Sequence, residues 1–66
     1  MIEIFVNDQN QQLRQGATLA ELIAQCATSP STVAAINGTF VPRSRHADHP
    51  LQNGDRVELL APMEGG

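Results

Sequence analysis

One segment of this chain has the spacing of an amphipathic helix, and the apolar residues elsewhere alternate as they do in strands. The helical segment has apolar residues at i, i+3, i+4 and i+7, which share one face: Leu19, Leu22, Ile23 and Cys26. Thr18 and Glu21 fit a capping box, in which the side chain of each accepts a hydrogen bond from the backbone of the other. A lone helix of this kind buries its apolar face compactly by lying across one face of a sheet.

The remainder of the chain predicts strands separated by turns. Residues 2–6 alternate about one apolar face, and the polar residues 9–15 are expected to pair with them at an edge until Gly16. Further strands are expected at residues 33–36, 39–41 and 56–61, with turns at Asn37-Gly38 and Asn53-Gly54-Asp55. The first and last strands alternate best and should lie centrally. The predicted fold class is α+β, a mixed sheet of about five strands with one main helix packed on one face.

The connecting segments receive simpler predictions. Residues 28–31 are expected to break the helix, and residues 43–50 are expected to be polar and irregular. Residues 33–36 are interpreted as a short buried strand. Leu51 is predicted to fill the core from below.

Size and composition limit the function classes. A chain of 66 residues has room for one domain, and it cannot enclose an active-site pocket beside a full core. This favours a binding or carrier protein over an enzyme. The net charge is −3 and lysine is absent, so no nucleic-acid partner is expected. No apolar run is long enough for a bilayer and no signal peptide is visible, so no membrane partner is expected. The lone Cys26 predicts a cytoplasmic protein without a disulfide.

The sequence finishes in Gly65-Gly66, directly after the last predicted strand. Glycine has no Cβ, so such an end is thin and adopts almost any backbone angle. We therefore divide the chain into a domain at residues 1–61 and a flexible C-terminal diglycine tail at residues 62–66. Residues 63–66 reach roughly 13 Å when extended, far enough to bring a carboxylate into another protein's active site. The alternative is an ordinary frayed terminus.

Several short motifs occur in order along nearly the whole chain. They are Asn7-Asp8, Ala35-Ile36-Asn37, Val41-Pro42-Arg43, Leu51, Gly54-Asp55 and Gly65-Gly66. Together with the element order, this set resembles the ThiS family, the sulfur carriers of thiamine biosynthesis, which have a ubiquitin-like β-grasp fold. His46 stands where that family often has an aromatic residue, a departure that affects local packing only.

The resemblance implies a defined chemistry at Gly66. An E1-like, ThiF-type enzyme would use ATP to adenylate the Gly66 carboxylate, and a persulfide sulfur donor would convert the acyl adenylate into a thiocarboxylate. A ThiG-type thiazole synthase would then receive the sulfur, and the chain itself would bind no cofactor. Adenylation is needed because a carboxylate lacks a good leaving group. Met63, Glu64 and Gly65 would contact the partner's channel, where Gly65 leaves the carbonyl unobstructed.

Other residues are expected to contact a partner protein from the folded body. Phe5 and Leu60 are predicted on the sheet face opposite the helix, where two large apolar groups would form a docking patch. The alternative is that they are scattered surface hydrophobes. Phe40 is left open between that face and the core. Arg43 is a partner contact through its family motif, with a solvated loop arginine as the alternative.

Three residues invite chemical hypotheses that the sequence disfavours. Cys26 is expected to be a small buried hydrophobe on the helix face rather than a persulfide carrier. His46 and His49 are spaced i, i+3, but no third ligand is evident. They are interpreted as a solvated pair, and no metal site is expected.

Two other functions stay open. One is the sulfur carrier of molybdopterin synthesis, which uses the same terminal chemistry on the same fold, although Val41-Pro42-Arg43 favours the thiamine branch. The other is a ubiquitin-like modifier or adaptor, in which Gly66 would be joined to lysines of target proteins. A self-contained enzyme is disfavoured because the sequence has no nucleophile–base pair or phosphate loop.

Overall fold

The computed structural model describes residues 1–26 and 31–61. In chain order, its elements are β1 (Ile2–Val6), β2 (Gln9–Leu13), α1 (Leu19–Cys26), β3 (Val33–Ile36), β4 (Thr39–Val41), a 3₁₀ helix (Arg43–Asp48) and β5 (Arg56–Leu60). The predicted order of strands and main helix is confirmed. The predicted tail at residues 62–66 lies outside the described residues, as does most of the predicted helix break.

Within the described residues, the strands form one five-stranded sheet in the order β2-β1-β5-β3-β4. The central strand, β5, is parallel to β1 and antiparallel to β3. Hairpins pair β2 with β1 and β4 with β3, so β2 and β4 form the edges. The mixed sheet, the interior positions of the first and last strands and the edge position of the polar β2 are all confirmed.

The core lies between α1 and one face of the sheet. Its largest fully buried side chains come from both layers: Ile4, Leu19, Leu22 and Val57. Leu51 precedes β5 and is 3% exposed, which confirms its predicted place in the core. Burying each large aliphatic side chain contributes roughly 1.5–3 kcal/mol, so a few such residues dominate the stability of so small a domain.

The N-terminus of α1 is satisfied by a side-chain cap and by a neighbouring segment. The Glu21 N–H donates to Thr18 Oγ1 at 3.3 Å, which confirms Thr18 as the cap. The Glu21 carboxylate forms an ion pair with Arg14, just beyond β2. The Leu19 N–H donates to the carbonyl of His49 at 2.9 Å. Two of the backbone donors that a helix start leaves open, those of Leu19 and Glu21, therefore have partners.

Both hairpins turn through two residues of positive φ. Asn37 and Gly38 have φ values of 51° and 84°, as expected for the type I′ turn predicted there. Asn7 and Asp8 have φ values of 49° and 69° in the turn between β1 and β2. Asn and Asp tolerate this conformation better than other side chains, which explains how the turn forms without glycine.

Two strand boundaries differ from the predictions. β2 ends at Leu13 rather than at residue 15, because the Ala17 N–H already donates to the carbonyl of Arg14 at 3.1 Å and closes a turn. Gly16 occupies a positive φ of 89° in this turn. β5 ends at Leu60, one residue before the predicted end. The strand at residues 33–36 is buried only at alternate positions, since Val33 is 42% exposed.

The prediction of irregular structure after Pro42 was wrong, and so was the prediction of a solvated histidine pair. Residues Arg43–Asp48 form a 3₁₀ helix that begins when the Arg45 N–H donates to the Pro42 carbonyl at 2.9 Å. This helix turns His46 inward, where it is 8% exposed and its Nε2 lies 3.1 Å from the Val41 carbonyl oxygen. His49 is half-buried. His46 thus fills an interior position with a polar partner.

The prediction that Cys26 is buried was also wrong. Cys26 is exposed. It is the last residue of α1, where the helix reaches the margin of the sheet. Its Sγ lies 3.5 Å from Oε1 of Gln11 on the edge strand β2. Helical spacing predicts which face of α1 carries Cys26. It does not predict that the sheet no longer covers that face at the position of Cys26.

Candidate functional site

The sheet face opposite α1 carries three of the four large apolar side chains that are exposed among the described residues, and the fourth is Met1 at the N-terminus. Phe40 is 62% exposed and Leu60 is 63% exposed. Strand pairing brings them together, because Ala35 pairs with Phe40 and Val33 pairs with Leu60. We call these four residues the outer apolar patch. Contiguous exposed apolar groups are unusual on a small protein and mark contact surfaces.

Phe5 lies on the same face but outside the outer apolar patch. It pairs with Arg56 at the start of β5, whereas Leu60 is the last residue of that strand. Four residues of strand separate them by about 13 Å. The Phe5 ring is half-buried, and the Arg56 guanidinium lies 5.9 Å from its centroid in a cation–π contact. The structure confirms the predicted face for both residues and does not bring them into one patch.

Arg43 stands at the border of the outer apolar patch. It is the exposed first residue of the 3₁₀ helix and lines a hollow that also includes Val33, Phe40 and His46. Since Val33 and Phe40 belong to both the hollow and the patch, Arg43 adds a cation at the rim of an apolar surface. Glu58 borders the patch on β5 and adds an anion. Apolar centres with charged rims are typical of protein–protein interfaces.

The outer apolar patch adjoins Ala61, the last described residue, because Leu60 belongs to the patch and ends β5. The preceding residue, Leu59, is held by the Asn7 side chain, which accepts from its N–H at 2.9 Å and donates to its carbonyl at 3.2 Å. A partner covering the outer apolar patch therefore lies beside the start of the tail. The four tail residues predicted to act in the site, Met63, Glu64, Gly65 and Gly66, lie outside the described residues.

Residues 1–26 and 31–61 contain no group of three or more His, Cys, Asp or Glu placed to hold a metal ion. No helix among these residues is long and apolar enough to cross a membrane.

Comparison with known proteins identifies the relatives of this chain. A model of the ThiS family matches residues 1–66. The chain belongs to the ThiS family. It is 38% identical over 66 residues to the sulfur carrier protein ThiS of Escherichia coli (strain K12), an alignment that covers 98% of this chain and 100% of that protein. The family resemblance stated from the sequence motifs is confirmed, and the chain is a carrier protein rather than an enzyme.

Solved structures of ThiS proteins have the same fold. The crystal structure of the thiamine biosynthesis protein ThiS from Geobacter metallireducens matches with a TM-score of 0.83 at 23% identity, covering 98% of this chain and 100% of that chain. A solution NMR structure of a thiamine biosynthesis protein from the same organism matches with a TM-score of 0.80 at 22% identity, covering 98% of this chain and 88% of that chain. The predicted β-grasp fold class is confirmed.

Two members of the outer apolar patch were missed or left open by sequence reasoning. Val33 was assigned to a buried strand, and Phe40 was not assigned to either face. The signal for Phe40 was the register of the hairpin around Asn37-Gly38, which pairs Ala35 with Phe40. The signal for Val33 was its position two residues before Ala35, on the same face of β3. Opposite residues of a hairpin share a face, so placing Ala35 outside also places Phe40 outside.

Proposed function

We propose that the Gly66 carboxylate of this ThiS-family protein is adenylated by an ATP-using, E1-like enzyme of the ThiF type. The outer sulfur of a persulfide then attacks the acyl carbon and expels AMP, which gives an acyl disulfide. A second thiol of the sulfur-donating system attacks the donor's sulfur in that disulfide, forms a new disulfide with it and releases the thiocarboxylate at Gly66. The thiocarboxylate sulfur is delivered to a ThiG-type thiazole synthase for thiazole formation. Family membership supports the coarser statement that the chain is a sulfur carrier of thiamine biosynthesis. The observation that carries the finer proposal is the outer apolar patch beside the start of the diglycine tail.

The proposed chemistry needs a terminal carboxylate that both ATP and the sulfur donor can approach without steric obstruction. The carboxylate oxygen of Gly66 attacks the α-phosphorus of ATP and expels pyrophosphate, which converts a poor leaving group into AMP. The persulfide sulfur then attacks the acyl carbon. Side chains at positions 65 and 66 would crowd both approaches, and glycine removes them. ATP is bound by the partner in this proposal, and the carrier holds no cofactor of its own.

The folded body supplies the recognition. Phe40 and Leu60 offer exposed apolar area at the centre of the outer apolar patch, and Arg43 offers a charged contact at its rim. Phe5 extends the same face toward the far end of β5. Met63, Glu64 and Gly65 are proposed to line the partner's channel once the patch has docked. The lone Cys26 supports the cytoplasm as the compartment, since no internal disulfide can form.

The decisive experiment follows the Gly66 carboxylate directly. Purified carrier, the adenylating enzyme, ATP and radiolabelled pyrophosphate should give exchange with the full chain. Deletion of Gly66 should abolish this exchange while the thermal melt stays unchanged, because the buried core of the described residues ends at Val57. Gly66→Ala should slow the exchange strongly with the same melt. A normal exchange rate for the deletion variant would overturn the proposal.

Mass analysis separates this function from the alternatives. Protein isolated from thiamine-starved cells should show a mass rise equal to replacing one oxygen with sulfur, localised to the C-terminal peptide. Branched peptides that join Gly66 to lysine would instead indicate a ubiquitin-like modifier. Sulfur transfer to a molybdopterin precursor, with none to the thiazole synthase, would indicate the molybdopterin branch.

A further inference from the structure

The parallel ladder between β1 and β5 ends before β5 does. The Phe5 N–H donates to the carbonyl of Asp55 at 2.9 Å, and the Asn7 N–H donates to the carbonyl of Val57 at 2.9 Å. At Asn7 the backbone takes a φ of 49° and turns away into the hairpin with β2. The next residue of β5 whose backbone N–H and carbonyl point toward β1 is Leu59. The backbone of β1 does not continue beside it.

The Asn7 side chain replaces the missing strand. Its Oδ1 accepts from the Leu59 N–H at 2.9 Å, and its Nδ2 donates to the Leu59 carbonyl at 3.2 Å. A continuing β1 would have supplied one acceptor and one donor at the same position of a parallel ladder. A carboxamide presents an acceptor oxygen and a donor nitrogen on separate atoms, as a peptide group does.

The contact between Asn7 and Leu59 lies one residue before the end of β5. Leu59 is followed by Leu60, which pairs with Val33 on the other side of β5, and then by Ala61. Without the Asn7 carboxamide, the last two residues of β5 would be held from the β3 side alone. Strand ends held on one side open more readily than strands held on both sides.

We propose that Asn7 is a positioning residue that fixes the end of β5 and with it the position of Ala61, the residue to which the tail is joined. When the end of β5 is fixed, fewer residues must be ordered as the Gly66 carboxylate enters a partner's active site, so the entropic cost of that step is smaller. The effect on β5 is independent of any partner. The effect on adenylation rests on the proposed function.

Asn37 provides a matched control at the opposite end of β5. It also occupies a hairpin turn with positive φ, at 51°, and its side chain also makes two hydrogen bonds. Its Oδ1 accepts from the Arg56 N–H at 3.0 Å, and its Nδ2 donates to Asp55 Oδ1 at 3.1 Å. Glycine tolerates positive φ, so Asn7→Gly and Asn37→Gly each remove a comparable set of bonds without straining the turn.

The first measurement is amide hydrogen exchange of the two variants, followed by NMR. Both should lose similar thermal stability. Only Asn7→Gly should speed amide exchange at Leu60, by roughly tenfold, although the substitution leaves Val33, the pairing partner of Leu60 on β3, unchanged. Asn37→Gly should leave Leu60 at the parent rate. Equal exchange at Leu60 in the parent and in Asn7→Gly would overturn the proposed hold on β5.

The second measurement is pyrophosphate exchange over a range of carrier concentrations. Asn7→Gly should lower kcat by about five- to tenfold and change the KM for the carrier by less than about twofold. Three of the four residues of the outer apolar patch lie on β3 and β4, and Leu60 keeps its pairing with Val33 in most molecules even when the end of β5 opens more often. Asn37→Gly should keep the parent kcat and KM. An unchanged kcat for Asn7→Gly, with faster exchange at Leu60, would overturn the positioning role. If the parent chain itself shows no pyrophosphate exchange, the proposed function fails, and the hydrogen-exchange result still decides whether Asn7 holds β5.

Discussion

Truncation of Phe40 to alanine should weaken binding of the adenylating enzyme without unfolding the carrier. Phe40 is 62% exposed. A fully covered phenylalanine buries about 150–250 Å², so a docked partner would cover about 90–150 Å² of this side chain. At about 25 cal/mol per Å², that area corresponds to about 2–4 kcal/mol. Alanine keeps part of the contact, so we expect a loss of about 1–3 kcal/mol, or about 5- to 150-fold in Kd.

Isothermal titration calorimetry with the adenylating enzyme in the absence of ATP measures this loss apart from the chemistry. Leu60→Ala should weaken binding in the same direction, since Leu60 is 63% exposed in the same patch. Thr39→Ala is the matched control, because Thr39 is the exposed neighbour of Phe40 on β4 and pairs with the inward-facing Ile36. Its Kd should match that of the parent. Folded Phe40→Ala protein whose Kd stays within about twofold of the parent would refute a docking role for the outer apolar patch.

Three substitutions test the folded body by denaturant titration. Leu22→Ala empties a fully buried position on α1 and should cost about 2–5 kcal/mol; a loss below 1 kcal/mol would contradict the packing of that helix. Gly54→Ala forces an alanine to adopt a φ of 88°, where its Cβ meets no atom within 4 Å, so the cost should be the backbone term alone, about 1–2 kcal/mol. An unchanged midpoint would show that the turn before β5 relaxes. Thr18→Ala removes the acceptor for the Glu21 N–H and should cost about 1 kcal/mol, whereas Thr18→Ser should keep most of the stability.

The parts of the fold that the sequence predicted correctly depend on neighbouring residues. The Thr18 cap and the helical spacing that follows it lie within one short segment, so local physics determines α1. Asn37-Gly38 favours one turn type, and that turn determines the register of the hairpin around it. Alternation in the first and last strands predicted their interior positions because strands near the centre of a sheet pack the most apolar area.

The errors arose where a distant segment decides the environment of a residue. Cys26 has the spacing of a core residue, yet it is exposed because α1 ends beside the edge strand β2. His46 looked like a loop residue, and only the 3₁₀ helix after Pro42 turns it toward the Val41 carbonyl. Phe5 and Leu60 share a face, but the parallel register of β1 and β5 separates them along the strand. The register between two strands that are far apart in sequence cannot be predicted from the sequence of either strand alone.

The central position of β5 suits a protein that presents its C-terminal end to other enzymes. A tail attached to an edge strand could peel that strand from the sheet when a partner draws it into a channel. β5 is instead flanked by β1 and β3, and at Leu59 the Asn7 side chain extends the support on the β1 side. Since Leu60 belongs to both the outer apolar patch and the end of β5, docking of the patch also sets where the tail begins. Residues 61–66 reach roughly 20 Å when extended. In the proposed function, a partner that docks on the outer apolar patch would therefore have to bind its ATP within about that distance of the end of β5.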